Sequence, residues 1–174
     1  VFGIDNDLRS KLFGKRHSTK KFVTTQKKNK NFKFYSINLV NYKTLEVLFK
    51  KFKFDLIIHT AGQPSHDWSA KDPVFDFKIN ALATVNLLQL TKLYCPKCVF
   101  IFTSTNKVYG ELPKKKLKIK ELPTRFEAYN KSNKLLLIDE KFPLDDTVHS
   151  PFVVSKTSAD LMVQEFGKYF KLKS

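Results

Sequence analysis

Two runs constrain this chain most: "FDLIIHTAG" (54–62) and "CVFIFTS" (98–104), apolar stretches without polar alternation that end in small or hydroxyl residues. Unbroken apolarity over so few residues is the pattern of a strand buried on both faces, as in a parallel sheet. Between them the period changes. From about Asp72 to Tyr94, Ala83, Leu87 and Leu90 recur on one helical face, with Pro73 near the start. Strand, helix, strand is a βαβ unit, and such units cross over right-handed into a parallel sheet.

The flanking segments extend this α/β pattern. "VFGI" stops at Asp5 and reads as the tail of a buried strand, with a polar, Lys-rich loop expected after it. "NFKFYSI" (31–37) mixes aromatic and β-branched residues as strands do. Leu45, Leu48, Phe49 and Phe52 follow at i, i+3, i+4 and i+7, the spacing of an amphipathic helix. Residues 111–148 carry charge runs and little periodicity, so a long loop or insertion with room for one short helix is expected there. A last helix is expected from about Pro151 to Phe170, with Ala159, Val163 and Phe166 on its apolar face. The predicted order is strand, strand, helix, strand, helix, strand, helix, in a doubly wound parallel sheet covered on both faces.

At 174 residues and 42% hydrophobic content the chain has enough apolar material for one core. No apolar run reaches the roughly 18 residues a membrane span needs, and no secretory pattern opens the chain, so a cytoplasmic location and no membrane partner are expected. The net charge of +16 raises a nucleic-acid partner. Only Arg9, Arg16 and Arg125 are arginines, however, and the lysines are scattered. Bidentate recognition of bases and phosphates relies mainly on arginine, so a solvated basic surface, and no nucleic acid, is the expectation.

"CPKC" (95–98) holds the only two cysteines. A structural zinc needs two more ligands at suitable spacing, and His17, His59, His66 and His149 are isolated from one another. A redox pair is usually found at a helix N-terminus, whereas here Pro96 closes a helix and Cys98 opens a strand. No metal site is expected.

In doubly wound sheets, ligands bind beyond the carboxyl ends of the strands. Those ends carry Asp5, which can accept hydrogen bonds from ribose hydroxyls; "HTAGQ", whose Ala61 and Gly62 let backbone approach a ligand closely; and "TSTNKVYG", with Thr103, Ser104 and Thr105 in succession. Phe152 and Lys156 lie one helical turn apart and share a face. Spacing alone leaves open whether they act or merely pack.

"GIDNDLRSKLFG", "IIHTAGQPSHDWSAKDPVFDFKINALATVNLL", "FIFTSTNKVYG" and "HSPFVVSKTSADLMVQEFGKYF" together resemble the extended short-chain dehydrogenase/reductases. Within that family they resemble the NAD-dependent nucleotide-sugar epimerases and dehydratases, and among these the CDP-paratose 2-epimerase type. The resemblance implies an incomplete NAD-binding Rossmann domain over residues 1–174, a nucleotide-sugar substrate, a CDP-sugar in this subgroup, and a homodimer paired through helices near 72–94 and 151–170. It implies Asp5 and Asn6 at the adenosine ribose, Arg9 toward the adenine, and Ala61, Gly62 and Gln63 along the cofactor's middle. Asn80 would brace the neighbouring helix and Thr103 would lie near the nicotinamide ribose. Thr105 matches the catalytic hydroxyl residue that binds the sugar, and Lys156 the lysine that holds the nicotinamide ribose and lowers the pKa of a catalytic tyrosine. Phe152 stands in that tyrosine's place.

The implied reaction oxidises a sugar carbon to a transient ketone and reduces it from the opposite face. A Phe cannot accept the hydroxyl proton. Either another group does, with Tyr109, Glu111 and Asp146 as candidates, or the chain is a non-catalytic remnant that kept the fold. The 174 residues contain no G-x-x-G-x-x-G turn, and "NL" (Asn38, Leu39) stands after the second visible strand where the resemblance implies Asp-Ile or Asp-Leu near the adenine. A sheet without the strand that carries the glycine turn is expected to expose apolar edges and to aggregate unless they are covered.

Overall fold

The computed structural model describes residues 1–111, 113, 117–129, 138, 142–144 and 148–174. Strand β1 (Phe2–Ile4) pairs in parallel with β2 (Lys33–Tyr35), with Gly3 opposite Phe34. A Cβ on Gly3 would come within 2.5 Å of the Phe32 ring, so glycine is what lets that ring lie against the strand. Between these strands the expected loop is instead helical at α1 (Leu8–Phe13), a 3-10 turn (Lys15–His17) and α2 (Lys20–Gln26).

Helix α3 (Tyr42–Lys51) begins where Asn41 Oδ1 accepts from Thr44 N at 3.2 Å, satisfying a free amide of the first turn. It buries Leu45, Leu48 and Phe49. Phe52, expected as its fourth apolar contact, is the residue that ends it and packs at a tilt against Phe2 instead, ring centroids 4.7 Å apart. Strand β3 (Leu56–His59) pairs in parallel with β4 (Val99–Phe102). A short helix α4 (His66–Lys71) follows β3.

The expected helix over 72–94 comprises α5 (Pro73–Phe77), a π-helical stretch (Lys78–Leu82) and α6 (Ala83–Tyr94). Asp72 caps its start and Pro73 occupies its first turn. After β4 comes a 3-10 turn (Asn106–Tyr109). Within the stretch expected as loop, β5 (Lys118–Glu121) and β6 (Phe126–Tyr129) form an antiparallel hairpin. Helix α7 (Pro151–Phe170) has the expected bounds. Ser150 caps it, Pro151 starts it, and Lys171 ends it in the left-handed conformation at φ 59°.

The strand pairs β1–β2 and β3–β4 are separate two-stranded parallel sheets rather than the one continuous sheet expected, and Leu45 and Phe49 of α3, Leu88 and Leu90 of α6, Phe100 of β4 and Phe166 of α7 meet in one core. The expected cover on both sheet faces is seen on one. Leu56 and Ile58 of β3 lie beside Val99 and Ile101 of β4, and all four are exposed, Ile58 by 59%. Among the described residues no helix is long and apolar enough to cross a membrane.

Candidate functional site

Residues at the carboxyl ends of the parallel strands β1–β4 share one cleft of about 440 Å³. Asp5, Asn6 and Arg9 line one end, Ala61, Gly62 and Gln63 the middle, and Thr103, Thr105, Phe152 and Lys156 the other end. Asn38 and Leu39 also reach it. Of the residues singled out in the sequence, Asn80 stands behind the wall rather than in it.

At the first end Asp5 Oδ1 accepts from Asp7 N at 2.6 Å and from Thr19 Oγ1 at 3.0 Å. These bonds fix the carboxylate and leave Oδ2 without a protein partner among the described residues. Asp7 sits in the left-handed region at φ 56° and is itself held by Ser18 and Thr19. The Thr19 amide, chief among these bonds, lowers its pKa. Asn6 accepts from Leu8 N at 3.1 Å, which turns the chain into α1 and places Arg9 in the cleft.

In the middle, Asn80 grips the backbone of Gln63 from both sides. Its Oδ1 accepts from Gln63 N at 2.8 Å, and its Nδ2 donates to Gln63 O at 3.2 Å. A Cβ on Gly62 would meet Asn80 Oδ1 at 3.1 Å, so the small residue permits this close approach. Asn80 lies in the π-helical stretch, and such widened turns are frequent at functional sites.

At the far end, Lys156 Nζ donates to Thr103 O at 2.9 Å and stands 4.2 Å from the centre of the Phe102 ring. Burial lowers its pKa, with Asp160 one turn along opposing. His59, at the end of β3, is held neutral by burial, and the charge of Lys156 adds to this, taking its pKa to about 4. Thr84 Oγ1 donates its hydrogen to Asn80 O at 2.6 Å, so at 3.0 Å it accepts from His59 Nε2–H, which sets the tautomer. Thr105 Oγ1 accepts from Lys107 N and opens the 3-10 turn. Phe152 is 6% exposed, its ring 4.7 Å from that of His66.

Of the candidate proton acceptors, Tyr109 borders a second depression together with Ser104, Thr105 and Asp160. Glu111 lines neither depression, and Asp146 lies outside the described residues. Cys95 and Cys98 are buried and unpaired with each other; burial pushes the Cys98 thiol up to about 11, far from a reactive thiolate. Among the described residues no three His, Cys, Asp or Glu side chains group as metal ligands would.

Sequence reasoning missed Asp76 and Ser155, which join Asn80 and Gln63 under the cleft floor. The only trace was the four-residue spacing of Asp76 and Asn80, one helical turn.

The family described as GDP-mannose 4,6 dehydratase matches residues 1–174. CDP-paratose 2-epimerase of Salmonella typhi is 35% identical over 144 residues, covering 83% of this chain and 40% of that protein. The dTDP-D-glucose 4,6-dehydratase of Dictyostelium discoideum is 35% identical over 145 residues, covering 83% of this chain and 30% of its own length. Among solved structures, UDP-glucose 4-epimerase of Thermus thermophilus, a complex with NAD, superimposes with a TM-score of 0.62 at 26% identity, over 83% of this chain and 39% of that one. The chain thus spans well under half the length of the relatives it matches. With a parallel α/β sheet, a cleft at its carboxyl edge and a match over every residue, the chain belongs to the GDP-mannose 4,6-dehydratase family of nucleotide-sugar epimerases and dehydratases, within the extended short-chain dehydrogenase/reductases.

Proposed function

We propose that the polypeptide is an NAD-dependent nucleotide-sugar epimerase of the CDP-paratose 2-epimerase type, represented here by part of its cofactor domain and acting in the cytoplasm. The observation that carries this reading is the convergence of Asp5, Gly62, Thr105 and Lys156, from four separate segments, on one cleft.

The residues present suit NAD at its two riboses. Asp5 keeps Oδ2 available while Oδ1 is held by Asp7 and Thr19, an arrangement that accepts ribose hydroxyls and repels a 2′-phosphate. Lys156 offers its remaining ammonium hydrogens beside Thr103. When bound, NAD supplies the hydride acceptor and donor for the sugar carbon. Thr105 hydrogen-bonds the sugar hydroxyl that loses its proton, and Lys156 positions the nicotinamide ribose. Phe152 contributes an apolar wall and cannot take the proton. Of the two described candidates Tyr109 is the better supported acceptor, because it and Thr105 border the same depression.

Phe152 favours a second reading, a fold-retaining binding or scaffold protein without turnover. One pair of experiments separates them. NAD should raise the unfolding midpoint under both readings, since a ligand that binds only the folded state stabilises it. Turnover of a CDP-linked dideoxy sugar by the full-length polypeptide is expected only under the first. Phe152→Tyr should raise turnover by about 100-fold or more if the base was lost; no gain would point to an acceptor elsewhere.

The proposed assembly is a homodimer through α5–α6 and α7. Its support is the exposed apolar side chains on those helices, among them Val74, Phe77, Val154 and Leu161.

A further inference from the structure

Asp76 has no exposed surface and lies on α5 beneath the middle of the cleft. Its Oδ1 accepts from Gln63 Nε2 at 2.7 Å and from Asn80 Nδ2 at 3.2 Å, and its Oδ2 accepts from Ser155 Oγ at 2.5 Å. Ser155 Oγ also lies 3.0 Å from Asn80 Nδ2, whose two hydrogens are shared among Gln63 O, Asp76 Oδ1 and Ser155 Oγ. All of these donors are neutral amides and hydroxyls. Packing alone does not explain a carboxylate here, because burying one without a cation is costly and an apolar residue of similar volume would fill the space.

A carboxylate does offer two oxygens with about four acceptor sites, enough to receive several segments at once. The segments it receives are the two walls of the cleft. Gln63, itself 1% exposed, ends the Ala61–Gly62 loop. Ser155 precedes Lys156, whose ammonium reaches Thr103. A shift of the loop against α7 would break a bond at Asp76, so the distance between the cofactor loop and the lysine is set there.

We infer that Asp76 is a positioning residue of the cleft, a buried acceptor that holds the Gln63 loop and the Lys156 segment of α7 at one fixed separation. The inference rests on reading the cleft as an NAD site, but it can be tested apart from that reading.

The test uses the full-length polypeptide as wild type, Asp76→Ala, Asp76→Asn and Ser155→Ala, each checked for folding by near-ultraviolet circular dichroism. Two quantities are measured: the dissociation constant for NAD, and the pH profile of Lys156 acylation by acetic anhydride, followed by peptide mass spectrometry. Asp76→Ala is expected to weaken NAD at least tenfold and to move the midpoint of Lys156 acylation upward, by about half a unit or more, toward that of an ordinary lysine. Asn at this place can still accept from Gln63 and Asn80 and can donate to Ser155 Oγ, so Asp76→Asn should stay within threefold of wild type.

A folded Asp76→Ala protein with unchanged NAD affinity and an unchanged Lys156 profile overturns the inference. So does an Asp76→Asn protein as impaired as Asp76→Ala, since charge rather than positioning would then be the requirement. If Asp76→Ala does not fold, Ser155→Ala decides: loss in both measurements supports the inference and no change in either overturns it. A wild type that binds no NAD defeats the functional reading, and the Lys156 profile then decides the positioning role alone.

Discussion

Lys156 carries its ammonium into a place that disfavours charge. Burial lowers its pKa, and what compensates is one carbonyl, one ring face and the opposing charge of Asp160. A lysine whose folded pKa lies below its unfolded value of 10.5 weighs against folding at neutral pH. That load is lifted only as pH rises from the folded value through the unfolded one. Lys156→Met is therefore expected to raise the unfolding midpoint by about 2 °C or more at pH 7 while abolishing measurable NAD protection, a gain in stability bought with function. His59 obeys the same sign rule in a lower window. Its pKa is about 4 when folded and 6.5 when free, so the folded protein binds fewer protons between those values and stability falls as pH drops from 6.5 toward 4. At roughly 1.4 kcal/mol per unit the loss is about 3 kcal/mol. Urea unfolding at pH 7 and pH 4 should show it in wild type, and His59→Gln should remove most of the difference.

At the scale of elements, the caps and the core determine what is stable and what could be read. Asn41 closes the first turn of α3 through Thr44 N, and Asn41→Ala is expected to cost about 1 kcal/mol, seen as a lower urea midpoint with an unchanged m-value. Helix α7 was legible because Pro151 marks its start and Ala159, Val163 and Phe166 recur at helical spacing. Helices α1 and α2 were not, since neither buries a residue and no periodicity could mark them. The β5–β6 hairpin escaped for a like reason: all four residues of β5 are exposed, so no apolar alternation writes it into the chain. The cleft's lining was legible wherever it follows the end of an apolar strand run, as at Asp5, Gly62 and Thr103. Asp76 and Ser155 were not, because they are 79 positions apart and only the packing of α5 on α7 brings them together.

Among the described residues two apolar surfaces stand out under a net charge of +16, and each suits a separable kind of association. One is carried by Val154 and Leu161, seven residues and two turns apart on α7, and by Val74 and Phe77 of α5, a helix that packs on α7. The other is the open sheet face of Leu56, Ile58, Val99 and Ile101. The helical face is the one proposed above for the homodimer, whereas exposed apolar strands are a template for indefinite pairing. The charge opposes both, and salt screens it over about 8 Å at physiological strength, so self-association of the 174-residue chain should increase with salt. Sedimentation velocity of two double variants assigns the surfaces. Val154→Lys with Leu161→Lys is expected to convert a dimer peak to monomer at low and high salt alike. Ile58→Lys with Ile101→Lys is expected to keep the dimer and remove the larger, salt-promoted species. Because these four side chains are already partly exposed, each pair should change stability by less than about 1 kcal/mol, so a change in sedimentation reports the surface and not the fold. The opposite pattern, with the dimer lost through the sheet pair and kept through the helix pair, would move the subunit contact from α7 to the strands.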